Sequence, residues 1–244
     1  MEGVSLQEKT SAERIPPAKS LYPTLGNIEA VIFDIDGTLI DSVDVHAQAW
    51  REAFLHFGKD IPHPKLRASV GKGGDQFLPD FLSKDEIEEF GEEMEKWRGE
   101  HFKKTYMKSL RPFTLVRELG QRLREDGKRL ALATSAKGDE LDYYKGLIGF
   151  EDLLDAETSS DDAEKSKPHP DIFLAALDRL GKPDPQKVLV VGDTPYDIEA
   201  ASKAGMRTVA VLCGGFPKDS LIGAIAVFQS PSELLFRYED TPFS

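Results

Sequence analysis

Hydrophobic residues follow two different patterns along the chain, and these patterns predict where strands and helices lie. After residue 110, short apolar runs typical of buried parallel strands alternate with stretches in which apolar residues recur at helical spacing. An earlier run, Val31-Ile32-Phe33, has the same strand-like character. The other predicted strands span residues 128–134, 188–191, 206–213 and 224–228, and the predicted helices span residues 139–148, 170–180, 195–204 and a last one from Pro231. This alternation is typical of βαβ units, so we predict an α/β fold with a doubly wound, Rossmann-like parallel sheet.

The stretch between the first strand and residue 111 shows only the helical pattern. Apolar residues recur at helical spacing from Val43 to Phe57, again at residues 77–82, and as a sparse stripe within the charged residues 87–107. An all-helical block inserted after the first strand predicts a separate cap. We therefore expect a polar amino-terminal extension at residues 1–26, an α/β core at residues 27–43 and 111–244, and an all-helical cap at residues 44–110.

Composition and charge restrict the possible partners and location. The chain of 244 residues is 40% hydrophobic and 30% charged, as in globular proteins, and no apolar run approaches the ~20 residues that span a bilayer. The net charge of −12 argues against a nucleic-acid partner, because binding phosphate backbones needs a basic face. The amino terminus lacks the apolar region of a secretory signal, and the only cysteine, Cys213, excludes an intramolecular disulfide. We expect a cytoplasmic monomer with no membrane partner.

Two carboxylates mark the end of the first predicted strand. The run Val31-Ile32-Phe33 leads directly into Asp34-Ile35-Asp36-Gly37-Thr38, where glycine reverses the chain. Acidic side chains at the exit of a buried strand are costly unless they bind a cation or take part in chemistry. The carboxyl ends of the strands are also where open α/β sheets place their active sites. Asp34 and Asp36 are therefore the first candidates for a functional site.

The segment from Val31 to Ser42 resembles the first motif of the haloacid dehalogenase superfamily, in its phosphatase branch. It fits the pattern hhhDxDGTLxDS, in which several positions beyond the two carboxylates agree. Three later segments resemble the remaining motifs in order and context: Ala131 to Ser135, Ser166 to Asp171, and Gly192 to Asp197. The resemblance covers residues ~29–215 and also implies a helical cap inserted after the first motif.

The resemblance implies a covalent mechanism that depends on Mg2+. Asp34, Asp193 and the backbone carbonyl of Asp36 would hold the cation, and Asp197 would be a further ligand or a support. Asp34 would attack phosphorus and form an aspartyl-phosphate. Asp36 would protonate the leaving alkoxide and then deprotonate the water that hydrolyses the intermediate.

The same resemblance implies a binding site for the phosphoryl group. The Thr134 hydroxyl and the backbone N–H of Ser135 would bind a phosphate oxygen, and Lys167 would pair with both the nucleophile and the phosphate. Thr134 or Lys167 alone would not indicate a functional site, and the prediction of a phosphate site depends on the whole set of motifs. One departure concerns the cap, because the Pro-Gly pair that often precedes the helix leading to the second motif is Pro112-Phe113 here. This weakens the prediction of a second hinge.

Three cap residues are weaker candidates for substrate contacts. Lys72 lies in the glycine-rich loop Gly71-Lys72-Gly73-Gly74-Asp75, which is either a loop that reaches over the substrate or an interhelical turn. His46 lies in a D-[ST]-x-x-x-H-x-x-A-W stretch similar to one in β-phosphoglucomutases and sugar phosphatases, and it either senses the substrate or packs near Trp50. For Arg98, a solvated helix arginine is favoured over a substrate contact.

These features together predict a Mg2+-dependent phosphatase that hydrolyses a small phosphorylated metabolite of the sugar phosphate or phosphoglycolate class. The nearest alternative is a phosphomutase of the β-phosphoglucomutase type, which would share every core residue. A non-enzymatic phosphoacceptor domain is disfavoured, because an inserted cap suits a small enclosed substrate rather than a docking partner.

Overall fold

The computed structural model of the protein describes residues 25–244, and a six-stranded parallel sheet forms its centre. The strands of this part of the chain are β1 Ala30–Phe33, β2 Ile40–Asp41, β3 Arg111–Pro112, β4 Arg129–Ala133, β5 Ala156–Thr158, β6 Val188–Gly192, β7 Arg207–Val211 and β8 Ala226–Phe228. The order across the sheet is β5-β4-β1-β6-β7-β8, and each neighbouring pair is parallel. Strands β2 and β3 form a separate two-stranded ribbon.

Helices cover both faces of the sheet and build the inserted cap. The α-helices of the described residues are α1 Val43–His56, α2 His63–Arg67, α3 Gly74–Phe77, α4 Lys84–Glu86, α5 Glu92–Thr105, α6 Val116–Glu125, α7 Gly138–Ile148, α8 Asp171–Arg179, α9 Pro195–Lys203 and α10 Pro231–Phe236. A π-helical turn, Ile87–Gly91, joins α4 to α5. The predicted α/β fold with a helical cap is confirmed.

Strand β1 fixes the position of the site because it lies at the centre of the sheet. Its residues are all buried, and it pairs with β4 on one side and β6 on the other. Val31 and Phe33 pack into the core beneath α6, α7 and α10, whereas Ala30 and Ile32 pack into the core beneath α8 and α9. The order of the strands reverses at β1, and such a switch point opens a crevice at the carboxyl ends of the strands.

The cap has an aromatic core of its own. Trp50 and Phe54 of α1 pack with Phe77 of α3, and the Trp50 and Phe77 rings are stacked with centroids 4.4 Å apart. Met94 of α5 completes this cluster from the charged helix, whose apolar stripe is sparse. The helical spacing of residues 43–57 thus corresponds to a buried face, as predicted.

Both connections between core and cap meet in the short antiparallel ribbon. Ile40 pairs with Pro112 and Asp41 with Arg111. The ribbon therefore holds the chain together where it leaves the core and where it returns, without the glycine whose absence weakened the prediction of a second hinge. The domain boundaries at residues 43/44 and 110/111 stay a proposal.

Several predicted elements match those of the structure to within two residues, and others were not predicted. Strand β5 was missed because its sequence, Ala-Glu-Thr, has no apolar run. The predicted extension at residues 1–26 lies mostly outside the described residues, although Leu25 is buried against the core. Between residues 25 and 244, every helix is too short or too polar to span a bilayer.

Candidate active site

Asp34 lies directly after β1 with its carboxylate buried in the crevice. Its backbone N–H donates to Val191 O of β6 at 2.9 Å, which extends the sheet ladder by one residue. Lys167 Nζ donates a hydrogen bond to Asp34 Oδ1 at 2.5 Å. Burial raises the pKa of Asp34 to about 7; the Lys167 ammonium opposes this shift, and the carboxylates of Asp197 and Asp36 add to it.

The turn after Asp34 brings a hydroxyl and a glycine against Asp193. Thr38 Oγ1 donates to Asp193 Oδ1 at 3.0 Å. Gly37 has a positive φ of 80°, and a Cβ at this position would collide with Asp193 Oδ2. A Cβ at Gly214, after β7, would collide with the same oxygen. The two glycines therefore form a tight backbone cradle around Asp193 that larger residues would fill.

Asp34, Asp193 and Asp197 have the chemistry and arrangement of a site for a hard cation. One oxygen from each of the three buried carboxylates lies within 4.8 Å of the others. Asp193 Oδ2 is buried, and no described residue donates a hydrogen bond to it. The pKa of Asp193 is raised well above its usual range by burial and by the nearby carboxylates of Asp197 and Asp34. Carboxylate oxygens are the ligands that Mg2+ prefers, so the donors present fit this ion.

Lys167 and Asp197 form a second buried pair behind the nucleophile candidate. Lys167 is 1% exposed, and its Nζ donates to Asp197 Oδ1 at 2.8 Å. The other oxygen of Asp197 accepts hydrogen bonds from Thr194 N at 3.0 Å and Thr194 Oγ1 at 2.7 Å, in a capping box that begins α9. Burial acts against the charge of Lys167, but Asp197 and Asp34 outweigh it and raise the pKa of the ammonium above its usual range. Both oxygens of Asp197 are thus occupied by protein donors.

Asp36 points toward the cap rather than toward the carboxylate cluster. Ser42 Oγ donates to Asp36 Oδ1 at 2.6 Å, and His46 Nε2 lies 2.9 Å from the same oxygen. His46 Nδ1 is hydrogen-bonded to Arg98 Nη2, so we assign His46 the tautomer with the proton on Nε2. Burial opposes ionisation of Asp36, but His46, Ser42 and Arg98 outweigh it and lower the pKa of this carboxyl to about 2.

Thr134 and Ser135 lie at the carboxyl end of β4, next to β1. Thr134 is fully buried, and its Oγ1 accepts a hydrogen bond from Ala136 N at 3.0 Å. Ser135 and Ala136 line the crevice above it. The predicted phosphate-binding segment therefore lies beside Asp34, with Ser135 exposed to the crevice and Thr134 supporting the turn.

The crevice between core and cap consists of two connected cavities. The inner cavity, of about 70 Å³, is lined by Asp34, Asp36, His46, Lys72, Arg98, Ser135, Glu140 and Lys167, among others. The outer cavity, of about 400 Å³, shares Trp50, Gly73, Gly74, Arg98, Ser135, Ala136 and Glu140 with it. Most of the predicted site residues therefore line one cavity, whereas Thr134, Asp193 and Asp197 do not reach its surface.

The glycine-rich cap loop reaches the inner cavity, but the Lys72 ammonium is paired within the cap. Lys72 Nζ donates to Asp80 Oδ2 at 2.7 Å and lies 4.9 Å from the centre of the Tyr196 ring. Tyr196 belongs to the core helix α9, and its hydroxyl donates to Ala68 O of the cap at 2.7 Å. The loop is thus held over the site by contacts with the core.

Sequence reasoning overlooked two hydroxyls and undervalued one arginine. Thr38 and Ser42 lie in the first motif, and their position in DGTLxDS was the signal that could have identified them as partners of carboxylates. Arg98 is half-buried, with its guanidinium 5.2 Å from the Trp50 ring and 5.1 Å from the Phe102 ring. It is therefore part of the cavity wall and not the solvated arginine that we favoured.

Comparison with known proteins agrees with this geometry. Residues 31–211 match the family described as haloacid dehalogenase-like hydrolases. A phosphorylated carbohydrates phosphatase of Thermotoga maritima is 31% identical over 75% of this chain and 84% of its own length. A phosphoglycolate phosphatase of Aquifex aeolicus is 28% identical over 85% of this chain and 95% of its own length. The crystal structure of a hydrolase from Pseudomonas syringae superposes with a TM-score of 0.80, at 26% identity over 87% of this chain and 98% of that chain. The chain therefore belongs to the haloacid dehalogenase-like hydrolase family.

Proposed function

We propose that the protein is a Mg2+-dependent phosphatase that hydrolyses a small phosphomonoester through an aspartyl-phosphate on Asp34. The contact between Lys167 Nζ and Asp34 Oδ1 at 2.5 Å, on the wall of the inner cavity, carries this proposal. The ammonium orients one carboxylate oxygen and favours its ionised, nucleophilic form. Asp36 lies two residues further, on the cap side, where a leaving group would emerge.

In the first step, an Asp34 oxygen forms a bond to phosphorus as the bond from phosphorus to the leaving oxygen breaks. The leaving alkoxide takes a proton from Asp36. The pKa of Asp36 is about 2 in the free protein, so this carboxyl is ionised at neutral pH. The negative charge of an entering phosphate disfavours that ionised form and supports uptake of the proton that Asp36 then donates. In the second step, ionised Asp36 takes a proton from water as the water oxygen attacks phosphorus and releases Asp34.

Asp34, Asp193 and the Asp36 carbonyl would hold the Mg2+, which supplies charge neutralisation for the phosphate when bound. The cradle around the unpartnered Asp193 Oδ2 supports this assignment. Asp197, whose oxygens both accept protein hydrogen bonds, acts as a support for Lys167 in this proposal.

The proposed contacts of the phosphoryl group come from the core, and those of the leaving group come from the cap. Ser135 and Lys167 line the cavity and would hold the phosphoryl oxygens, as would Thr134, which follows β4 directly and supports the turn to Ser135. His46 and Lys72 face the leaving group from the cap and keep their predicted roles as substrate contacts. Because every one of these residues comes from one chain, a monomer suffices for the proposed activity, and the lone cysteine supports the proposed cytoplasmic location.

Sugar phosphates and phosphoglycolate are the proposed substrate classes. The two curated relatives are named for phosphorylated carbohydrates and for phosphoglycolate. The small volume of the inner cavity, about 70 Å³, supports a small leaving group.

A phosphomutase of the β-phosphoglucomutase type is the second candidate. The contacts of Asp36 with Ser42 and His46 fit it as well, because these residues lie in the stretch from Asp41 to Trp50 that is similar to one in β-phosphoglucomutases and sugar phosphatases. With β-glucose 1-phosphate and a bisphosphate primer, a phosphatase releases inorganic phosphate faster than it forms glucose 6-phosphate. The opposite order would replace the phosphatase with the mutase.

Phosphate release from a panel of phosphorylated metabolites, with and without Mg2+, tests the main proposal. We expect Mg2+-dependent release from at least one sugar phosphate or from phosphoglycolate. Release that persists after exhaustive chelation would contradict the proposed metal site. Absence of release from every phosphomonoester would contradict the phosphatase.

A further inference from the structure

Glu140 occupies an unusual position on the wall of the crevice. It lies in the first turn of α7 and lines both the inner and the outer cavity. The residue is 4% exposed, although it is charged and borders open space. A carboxylate in this position borders the space that the leaving group of a phosphomonoester would occupy.

Every other charged side chain that lines the inner cavity has a hydrogen-bond partner. The pairs are Asp34 with Lys167, Asp36 with Ser42 and His46, Lys72 with Asp80, Arg98 with His46, and Lys167 with Asp34 and Asp197. No residue between 25 and 244 donates a hydrogen bond to the Glu140 carboxylate. The nearest cation is Lys103 Nζ at 3.9 Å, which is too far for a hydrogen bond.

Glu140 and Asp36 line the same inner cavity. The Tyr144 hydroxyl, one helical turn after Glu140, is buried and lacks a hydrogen-bond partner among the described residues. Burial, then the carboxylates of Asp36 and Glu140, raise the pKa of Tyr144 well above its usual range. The charges of both carboxylates therefore act on the same buried hydroxyl.

The Glu140 carboxylate thus borders both cavities, while no described residue gives it a hydrogen-bond donor. A ligand that enters the cavity can supply these donors. We propose that Glu140 is a specificity-determining residue that accepts hydrogen bonds from hydroxyl groups of a neutral, polyhydroxylated leaving group. This inference rests on the proposed phosphatase function and narrows its substrate class to sugar or polyol phosphates.

The charge of Glu140 also disfavours the competing class. A carboxylate on the leaving group, as in phosphoglycolate, offers no donor at neutral pH and is repelled by Glu140. A hydroxyl group donates to the carboxylate and forms a charge-assisted hydrogen bond. Glu140 therefore binds one class and repels the other at the same position.

Substitution Glu140→Gln tests this role because it keeps the shape and removes the charge. The readout is the ratio of kcat/KM for fructose 1-phosphate to kcat/KM for phosphoglycolate, both with Mg2+. We expect the ratio to fall by about 10-fold or more, since one substrate loses a charge-assisted bond and the other loses a repulsion. The matched control Glu125→Gln makes the same chemical change at an exposed position of α6 and should leave the ratio as in the wild type.

The outcomes separate this inference from the function on which it rests. A wild-type enzyme that prefers phosphoglycolate, or a Glu140→Gln enzyme with an unchanged ratio, would overturn the role of Glu140 while the phosphatase stands. A wild-type protein that releases phosphate from neither substrate nor from p-nitrophenyl phosphate would overturn the phosphatase itself. Thermal unfolding distinguishes a structural role: we expect Glu140→Gln to unfold at the same temperature as the wild type or higher, and a clearly lower temperature would assign Glu140 to the fold.

Discussion

Lys167 donates a 2.5 Å hydrogen bond to the Asp34 carboxylate, and both side chains are buried at the floor of the crevice. The same ammonium lies 2.8 Å from Asp197 Oδ1. Lys167 thus contacts two of the three buried carboxylates of the cluster, Asp34 and Asp197, and Asp193 is the third. This arrangement makes Lys167 important for stability as well as for the proposed chemistry.

Replacement of Lys167 by methionine should destabilise the metal-free protein strongly. Removing one partner of a buried ion pair leaves uncompensated charge and costs about 3 kcal/mol or more in the free energy of unfolding. Urea denaturation with a chelator present measures this change. Lys182→Met is the control, because Lys182 forms an exposed pair with Asp178 and its loss should cost less than about 1 kcal/mol. Equal stability of the two variants would show that the Lys167 pairs contribute little.

The stability of the metal-free protein should also depend on pH through Asp34. The folded protein keeps this proton up to about pH 7, whereas the ordinary pKa is 3.8, so stability falls as the pH rises through this window. Asp34→Asn removes this titration, so the stability of the wild type relative to the variant should fall as the pH rises from 4 to 8. Urea midpoints across this range measure it. Parallel curves for the two proteins would contradict the raised pKa.

Lys72→Ala should lower kcat/KM for the preferred metabolite by about 10-fold, which corresponds to about 1.4 kcal/mol of transition-state binding. A small ester such as p-nitrophenyl phosphate offers the loop little to hold and should be affected less. Asp80→Asn is a useful companion, since it releases the Lys72 ammonium without removing it. Equal losses on both substrates after Lys72→Ala would assign the residue to the fold. No loss on either would make Gly71 to Asp75 an interhelical turn.

The core of the site was predictable because its signals are local. A buried strand followed by Asp34, or by Gly192 and Asp193, places carboxylates at one edge of a parallel sheet whatever the rest of the chain does. The helical spacing of Val43 to Phe57 likewise predicts the buried face of α1. The alternation of strands and helices predicts the parallel sheet, and the structure confirms the fold class and supplies the strand order.

Features that depend on closure of the cap over the core were not predictable in this way. His46 is hydrogen-bonded to Arg98, which lies 52 residues later in the sequence. Glu140 borders the cavity because α7 begins beside the cap. No local pattern indicates either contact. The π-helical turn at Ile87–Gly91 was not predicted either, because the pattern of the surrounding charged stretch is typical of a continuous helix.

Identification of the phosphorylated residue tests the central claim most directly. Wild-type protein is mixed with substrate and Mg2+, quenched during turnover with borohydride, which reduces an acyl phosphate to an alcohol, and examined by peptide mass spectrometry. The proposed mechanism predicts homoserine at position 34 and unmodified aspartate at positions 36, 193 and 197. Homoserine at another position, or unmodified Asp34 during continuing phosphate release, would contradict the covalent role of Asp34.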